Sequence, residues 1–307
     1  MTNASKIALY LYIIQCFASL QAQDLPITTL YCPGVCGDSS QMNDYKAMIQ
    51  GPCYPINFPD TQIPKGLFNK LVYYICKKGL QKQHINRNEM YFGQGQDIQA
   101  IKKEIAPNKT YILYGLCRGG MAIINYMAQY NPDNITALVL DETIADVLDI
   151  IEKLVYPKKD NKVTSTPIQR ENVLRACFPS YPRGTKPPVQ NIPAIKNKNL
   201  PIFLVYANKD TTFHFPSSTW RNYIAFKKAG FKNVYMCELQ ETCQGAQGDD
   251  RKIYLESLHS FYKKYNLAYD PQFAILTASQ LEQLQPSIQD VFKKIKDSQV
   301  KIVGKPA

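Results

Sequence analysis

Ten residues constrain the fold of this chain more than any others: Tyr111-Ile-Leu-Tyr-Gly-Leu-Cys-Arg-Gly-Gly120. A short apolar run ends in Gly115-Leu-Cys-Arg-Gly119, and a helical pattern begins at once. A strand that runs straight into a helix needs a sharp turn. Gly115 and Gly119 leave room for it, and Gly119 with Gly120 lets the helix lie close on the strand. Cys117 is then expected at the strand end, exposed, with its side chain over a helix N-terminus.

The rest of the chain repeats the alternation of buried strand and amphipathic helix. Apolar runs at 27–31, 53–58, 111–114, 137–140, 202–206 and 234–239 read as strands. Helical spacing marks 44–49, 67–78, 97–105 (capped by Gln96 or Asp97), 118–130, 217–229 with Gly230 at its end, and 251–265. Strands alternating with helices imply an α/β fold with a mainly parallel sheet of about six strands flanked by helices. Such a sheet binds ligands beyond the carboxyl ends of its strands.

Two stretches depart from the alternation. Residues 142–199 carry Pro157, Pro167, Pro179, Pro182, Pro187, Pro188 and Pro193, with helical pieces near 144–155 and 168–176, and read as a cap-like excursion over one face. Residues 268–307 form a helical tail whose apolar face is Leu281, Leu284, Ile288, Val291, Phe292 and Ile295, interrupted by Pro286. The expected layout is therefore a leader at 1–22, a domain at 23–267 and a tail at 268–307. The leader reading rests on one charge, Lys6, an apolar core at 7–17, and Ala18-Ser-Leu-Gln-Ala22 before Gln23. It predicts a secreted or envelope-located protein. The apolar core is shorter than the roughly 20 residues a membrane span needs.

The formal charge is +11, from 36 Lys and Arg against 25 Asp and Glu. The basic residues fall in scattered pairs such as Lys77-Lys78, Lys158-Lys159 and Lys293-Lys294. That pattern suits solvent faces of helices and gives no nucleic-acid surface. Of nine cysteines, Cys16 lies in the leader. Cys32, Cys36, Cys117 and Cys243 fall on loops at the carboxyl edge of the sheet, where Cys117 could pair with Cys32, Cys36 or Cys243 if Cα atoms lie within roughly 7 Å. Cys76 and Cys237 sit in apolar patterns as core residues. No Cys spacing suggests a zinc ribbon, and neither a metal nor a cofactor is expected.

The order of elements and motifs over residues 27–267 resembles the α/β-hydrolase superfamily. Gly115-Leu-Cys-Arg-Gly119 matches its G-x-S-x-G nucleophile elbow with cysteine for serine. In the turn Cys32-Pro-Gly-Val-Cys-Gly37, Cys32-Pro33-Gly34 stands where family members often carry His-Gly, and Asn208-Lys-Asp210 matches the strand-end acid. The family usually has two further strands before the first turn, so a six-strand core is expected. The resemblance implies Cys117 as nucleophile; hydrolases resembling dienelactone hydrolase use cysteine there. It implies backbone N–H groups of Arg118 and of Val35, or a neighbour, as the oxyanion hole. Asp210 would be the acid, with Asp141 or Glu142 a less favoured substitute. The helix terminus and the Arg118 charge would both favour the thiolate.

The family's histidine belongs in the loop after the last strand, here 240–250, and that loop has none. His84 lies in an insertion and His259 inside the last helix, beside Leu258 and Phe261, as a packed residue. His214, four residues after Asp210, is the candidate base, approaching Cys117 from another direction. Two readings follow. One is hydrolysis of a small ester, thioester or amide substrate, with the insertion at 61–92 and the excursion at 142–199 covering the site. The other is a catalytically degenerate scaffold that acts in binding or interaction. A thiol-redox role for the clustered cysteines is a third and weaker reading.

Overall fold

The computed structural model describes residues 27–34, 39–58, 91–148, 166–177, 181–182, 184–209, 215–241 and 246–303. Six strands form one sheet: β1 (Thr28–Cys32), β2 (Cys53–Pro55), β3 (Tyr111–Leu116), β4 (Ile135–Asp141), β5 (Ile202–Ala207) and β6 (Val234–Leu239). Every pairing is parallel, and the spatial order is β2-β1-β3-β4-β5-β6. This is the expected six-strand core. Every residue of β1, β3 and β5 is buried. That is why these strands read as near-continuous apolar runs: helices cover both faces of a parallel sheet. β2 is shorter than its apolar run at 53–58 predicts, because pairing with β1 ends at Pro55.

One face carries Tyr31, Tyr114, Val139, Phe203 and Tyr235 and is covered by α5 (Gly248–Lys264) and a 3-10 helix (Ser39–Met48). The other carries Leu30, Leu113, Leu138, Leu204 and Met236 under α1 (Gly95–Glu104), α2 (Arg118–Tyr130) and α4 (Phe215–Lys228). Of the excursion at 142–199, the described part includes α3 (Pro167–Cys177), whose Leu174 joins the first core.

The tail packs on the body as a strap. α6 (Ala278–Gln283) lies against the first core through Leu281, and α7 (Ile288–Val303) against the second through Val291. Between them the chain crosses the outer edge of β6, where the Met236 N–H donates to the Leu284 carbonyl at 2.7 Å. The Tyr223 hydroxyl donates to the Pro286 carbonyl at 2.5 Å and Lys294 pairs with Glu238 at 2.6 Å. A covered edge cannot template pairing with another chain. No helix among the described residues is long and apolar enough to cross a membrane.

Candidate active site

The sheet reverses its direction of growth between β1 and β3, because β2 lies to one side of β1 and all later strands lie to the other. The crevice above such a reversal is where open α/β sheets bind ligands. Cys32 at the end of β1 is in register with Gly115 of β3, so the first turn and the elbow meet there. A Cβ placed on Gly34 would lie 3.5 Å from the Cβ of Cys117.

Cys117 is the N-cap of α2, with φ 51° and ψ −107°. A positive φ on a non-glycine residue is a strained conformation held by its surroundings. Here the Cys117 N–H donates to the Asp141 carbonyl at 2.8 Å, and its carbonyl accepts from Met121 at 3.3 Å. Its side chain makes no capping hydrogen bond to the helix. The glycines give the elbow its closeness. A Cβ on Gly115 would come within 2.6 Å of the Gly120 nitrogen, one on Gly119 would overlap the Cys32 carbonyl, and one on Gly120 would overlap the Thr143 side chain. The strained residue thus tops a central strand and opens a helix pressed onto the sheet. The architecture is a six-stranded parallel α/β sheet with the strand–turn–helix elbow that the α/β-hydrolase resemblance implies.

The environment of the thiol differs from expectation in three ways. Cys117 is 8 % exposed, not open to solvent; it belongs to the first apolar core, and the Gly34 turn lies close over it. Cys32 and Cys117 are free thiols, so the Cys32 pairing is excluded; Cys36 and Cys243 lie outside the described residues. The Arg118 charge is not bare. The guanidinium is fully buried and forks onto Asp97, Nε to Oδ2 at 2.7 Å and Nη2 to Oδ1 at 2.6 Å, with the Phe58 ring 5.2 Å away. Asp97, expected to cap its helix, sits buried in the first turn of α1, and Gln94 is the N-cap. Nothing in the spacing of the two residues marks them as partners before the fold brings them together.

Asp141, weighed as a substitute acid, has its carboxylate engaged in the core. It accepts from the Tyr254 hydroxyl at 2.8 Å and from Tyr114 at 3.4 Å, and the two hydroxyls also contact each other. Burial first, and the Asp141 charge second, push both phenols well above their ordinary range. Glu142 follows with φ 46° and is buried. Burial likewise keeps Cys32 a thiol and pushes Cys237 up to about 12, as fits core residues. His259 is spent in packing: Nε2 donates to the Ala47 carbonyl at 3.1 Å, Nδ1 accepts from the Asp270 N–H at 3.1 Å, and the ring stacks on Phe273.

Val35, Asp210 and His214 lie outside the described residues, as do the leader at 1–22, most of the insertion at 61–92, the predicted helix at 67–78, and His84. The backbone leading to Asp210 is described. The Lys209 N–H donates to the Gln240 carbonyl at 2.9 Å, so the β5 and β6 loops leave the sheet side by side. Asp250, which the sequence did not single out, accepts the N–H groups of Gln240 and Glu241, both at 2.8 Å, and anchors the start of the 240–250 loop to α5. Among the described residues no group of His, Cys, Asp and Glu is arranged to hold a metal.

No family model and no curated protein sequence matches the chain. Among solved structures it is similar to the Pyrococcus horikoshii acylaminoacyl peptidase at 15% identity and TM-score 0.48, over 82% of this chain and 40% of that one. It is similar to MenH from S. aureus at 13% identity and TM-score 0.45, over 78% of this chain and 94% of that one. Bromoperoxidase from Bacillus anthracis aligns at 12% identity and TM-score 0.46, over 78% and 92%. The chain thus spans less than half of the peptidase's length.

Proposed function

We propose that this protein is a hydrolase of small esters, thioesters or amides that uses Cys117 as its nucleophile. The observation that carries the reading is the strained φ of 51° at Cys117, on the N-cap of α2, at the downstream tip of a central strand. A residue held this way presents its side chain at the crevice while the N–H groups of the next turn point toward the same space.

In this reading the Cys117 sulfur attacks the substrate carbonyl. The backbone N–H groups of Arg118 and Val35 receive the negative charge of the tetrahedral intermediate. His214, oriented by Asp210, accepts the thiol proton and returns it to the leaving alcohol, thiol or amine. Water then cleaves the acyl-thioester, with the same imidazole as base. The insertion at 61–92 and the excursion at 142–199 would select the substrate, and the leader at 1–22 would direct export.

The second reading is a degenerate hydrolase scaffold that binds a partner or ligand. It is favoured by the histidine-free 240–250 loop and by the packing of His259 in the core. Hydrolysis of p-nitrophenyl acetate by the wild type and by Cys117→Ala decides between them. A rate that collapses in the variant supports the enzyme. Equal rates remove the catalytic claim and leave the binding scaffold.

A further inference from the structure

Arg118 is adjacent in sequence to the proposed nucleophile, yet its side chain turns away from the crevice into the α1–α2 interface. There it meets Asp97, and both side chains have no solvent exposure. Asp97 does more than balance the charge. Its Oδ2 also accepts the Gly93 N–H at 2.7 Å, the Gly93 carbonyl accepts from Asn125 of α2 at 2.8 Å, and Asn191 donates to Asn125 at 2.8 Å. Gly93, at φ 77°, lies so near α2 that a Cβ there would come within 2.5 Å of the Met121 Cβ. One carboxylate therefore ties the 91–94 turn, α1 and the first turn of α2 together.

A buried ion pair is a poor source of stability, since desolvation of both charges offsets their attraction. Apolar side chains could hold α1 on α2 as well. What an apolar pair could not do is place a positive charge one residue from a thiol and cancel it in the same stroke. The pull of the guanidinium on Cys117 is then offset by the opposite charge of Asp97. Removing the Asp97 charge would therefore favour the thiolate, because screening is weak in a dry interior.

We propose that Asp97 is a positioning residue for Cys117: it cancels the Arg118 charge and pins the first turn of α2, so that the thiol is held in reserve for its base. The proposal rests on the reading of Cys117 as the reacting thiol. Other ionisable groups on the described elements around Cys117 are Tyr31 and Cys32 of β1, Asp141 and Glu142 at the end of β4, Tyr45 of the 3-10 helix, Tyr114 of β3 and Tyr254 of α5. The substitutions below leave all of them in place.

The test is the pH dependence of Cys117 alkylation by iodoacetamide in the full chain, read at residue 117 by mass spectrometry. In Asp97→Asn the midpoint should fall by about one pH unit, a tenfold rise in thiolate fraction at a fixed pH below the midpoint. In Arg118→Met the midpoint should rise, because the Asp97 carboxylate then faces the thiol without the guanidinium. The double variant and Asp97→Glu should return to the wild-type midpoint. A structural role alone would move the two single variants in the same direction, or neither, and either result overturns the proposal. If Asp97→Asn does not fold, Arg118→Met decides by itself: an unchanged or lower midpoint overturns the proposal. Hydrolysis that survives Cys117→Ala would sink the enzyme reading while leaving these shifts intact. Cys117-dependent hydrolysis with unmoved midpoints would sink the Asp97 proposal alone.

Discussion

Gly119→Ala tests the elbow with a single methyl group. A Cβ on Gly119 would overlap the Cys32 carbonyl oxygen and lie 2.6 Å from the carbonyl carbon and 2.8 Å from the Cys32 Cβ. The obstacle is mainly backbone of β1, which pairs with both β2 and β3 and cannot swing aside as a side chain would. α2 must lift from the sheet instead, and its residues from Arg118 to Met127 are all buried. Overpacking of a tight core costs about 3 kcal/mol at the upper end of the usual range. Replacing a helical glycine with alanine returns about 1 kcal/mol. The net loss is about 2 kcal/mol, which for a domain of this size lowers the urea midpoint by roughly 0.7 M if the slope is near 3 kcal/mol/M. Urea titration followed by circular dichroism measures it. Gly120→Ala provides the contrast, because its obstacle is the Thr143 side chain and Thr143→Gly should recover most of that loss. No side-chain change at Cys32 should recover Gly119→Ala. A urea midpoint for Gly119→Ala at or above the wild-type value would refute the idea that close approach of helix to strand builds the elbow.

Gly34→Ala should behave differently. Its added Cβ would make ordinary contact with Cys117 and Leu116 at 3.5 Å. The unfolding free energy from urea titration should stay within the scatter of surface substitutions, about 0.5 kcal/mol, while alkylation of Cys117 slows; unchanged alkylation would mean reagents reach the sulfur from another side. His259 supplies a pH dependence. Burial holds its folded pKa below the ordinary 6.5, so the unfolded chain binds the proton more readily. Stability should therefore be full above 6.5 and fall as pH drops from there toward the folded value, and His259→Gln should flatten that slope in urea titrations.

Strand positions were legible because a parallel sheet buried on both faces leaves unbroken apolar runs, as in Ile112 to Leu116 and Phe203 to Tyr206. The elbow was legible because close packing demands glycine at fixed offsets from Cys117. The polar core was not. Asp141, Tyr114 and Tyr254 meet from β4, β3 and α5, and local spacing carries no trace of contacts between residues so far apart in sequence. Asp97 misled for a related reason. An acidic residue early in a helix ordinarily serves the helix dipole, and only the tertiary fold turns it onto Arg118. The tail's two apolar patches were visible, but not that a Leu284–Pro286 crossing would set them on opposite faces of the sheet.

With Asp97 set against Arg118, the proposed means of activating the thiol narrow. The N-terminus of α2 favours the thiolate by about 0.3–1 kcal/mol in ordinary settings, which is less than a factor of ten in its population. Asp141 next door binds two phenols and brings negative charge, which works against ionisation. A helix terminus alone is therefore a weak activator, and a working enzyme needs a base within reach of the sulfur. The 240–250 loop has no histidine, Asp250 is tied to the Gln240 and Glu241 N–H groups, Glu241 pairs with Lys209, and His259 is committed to Ala47 and Asp270. That shifts the burden, in the proposed mechanism, to Asp210 and His214, which follow Lys209 in the sequence. His214→Ala should therefore abolish Cys117-dependent hydrolysis near neutral pH and spare it at alkaline pH, where hydroxide forms the thiolate without help. Loss at every pH would mean that His214 does something other than take the proton. Full activity near neutral pH would mean that the thiol is ionised by another route.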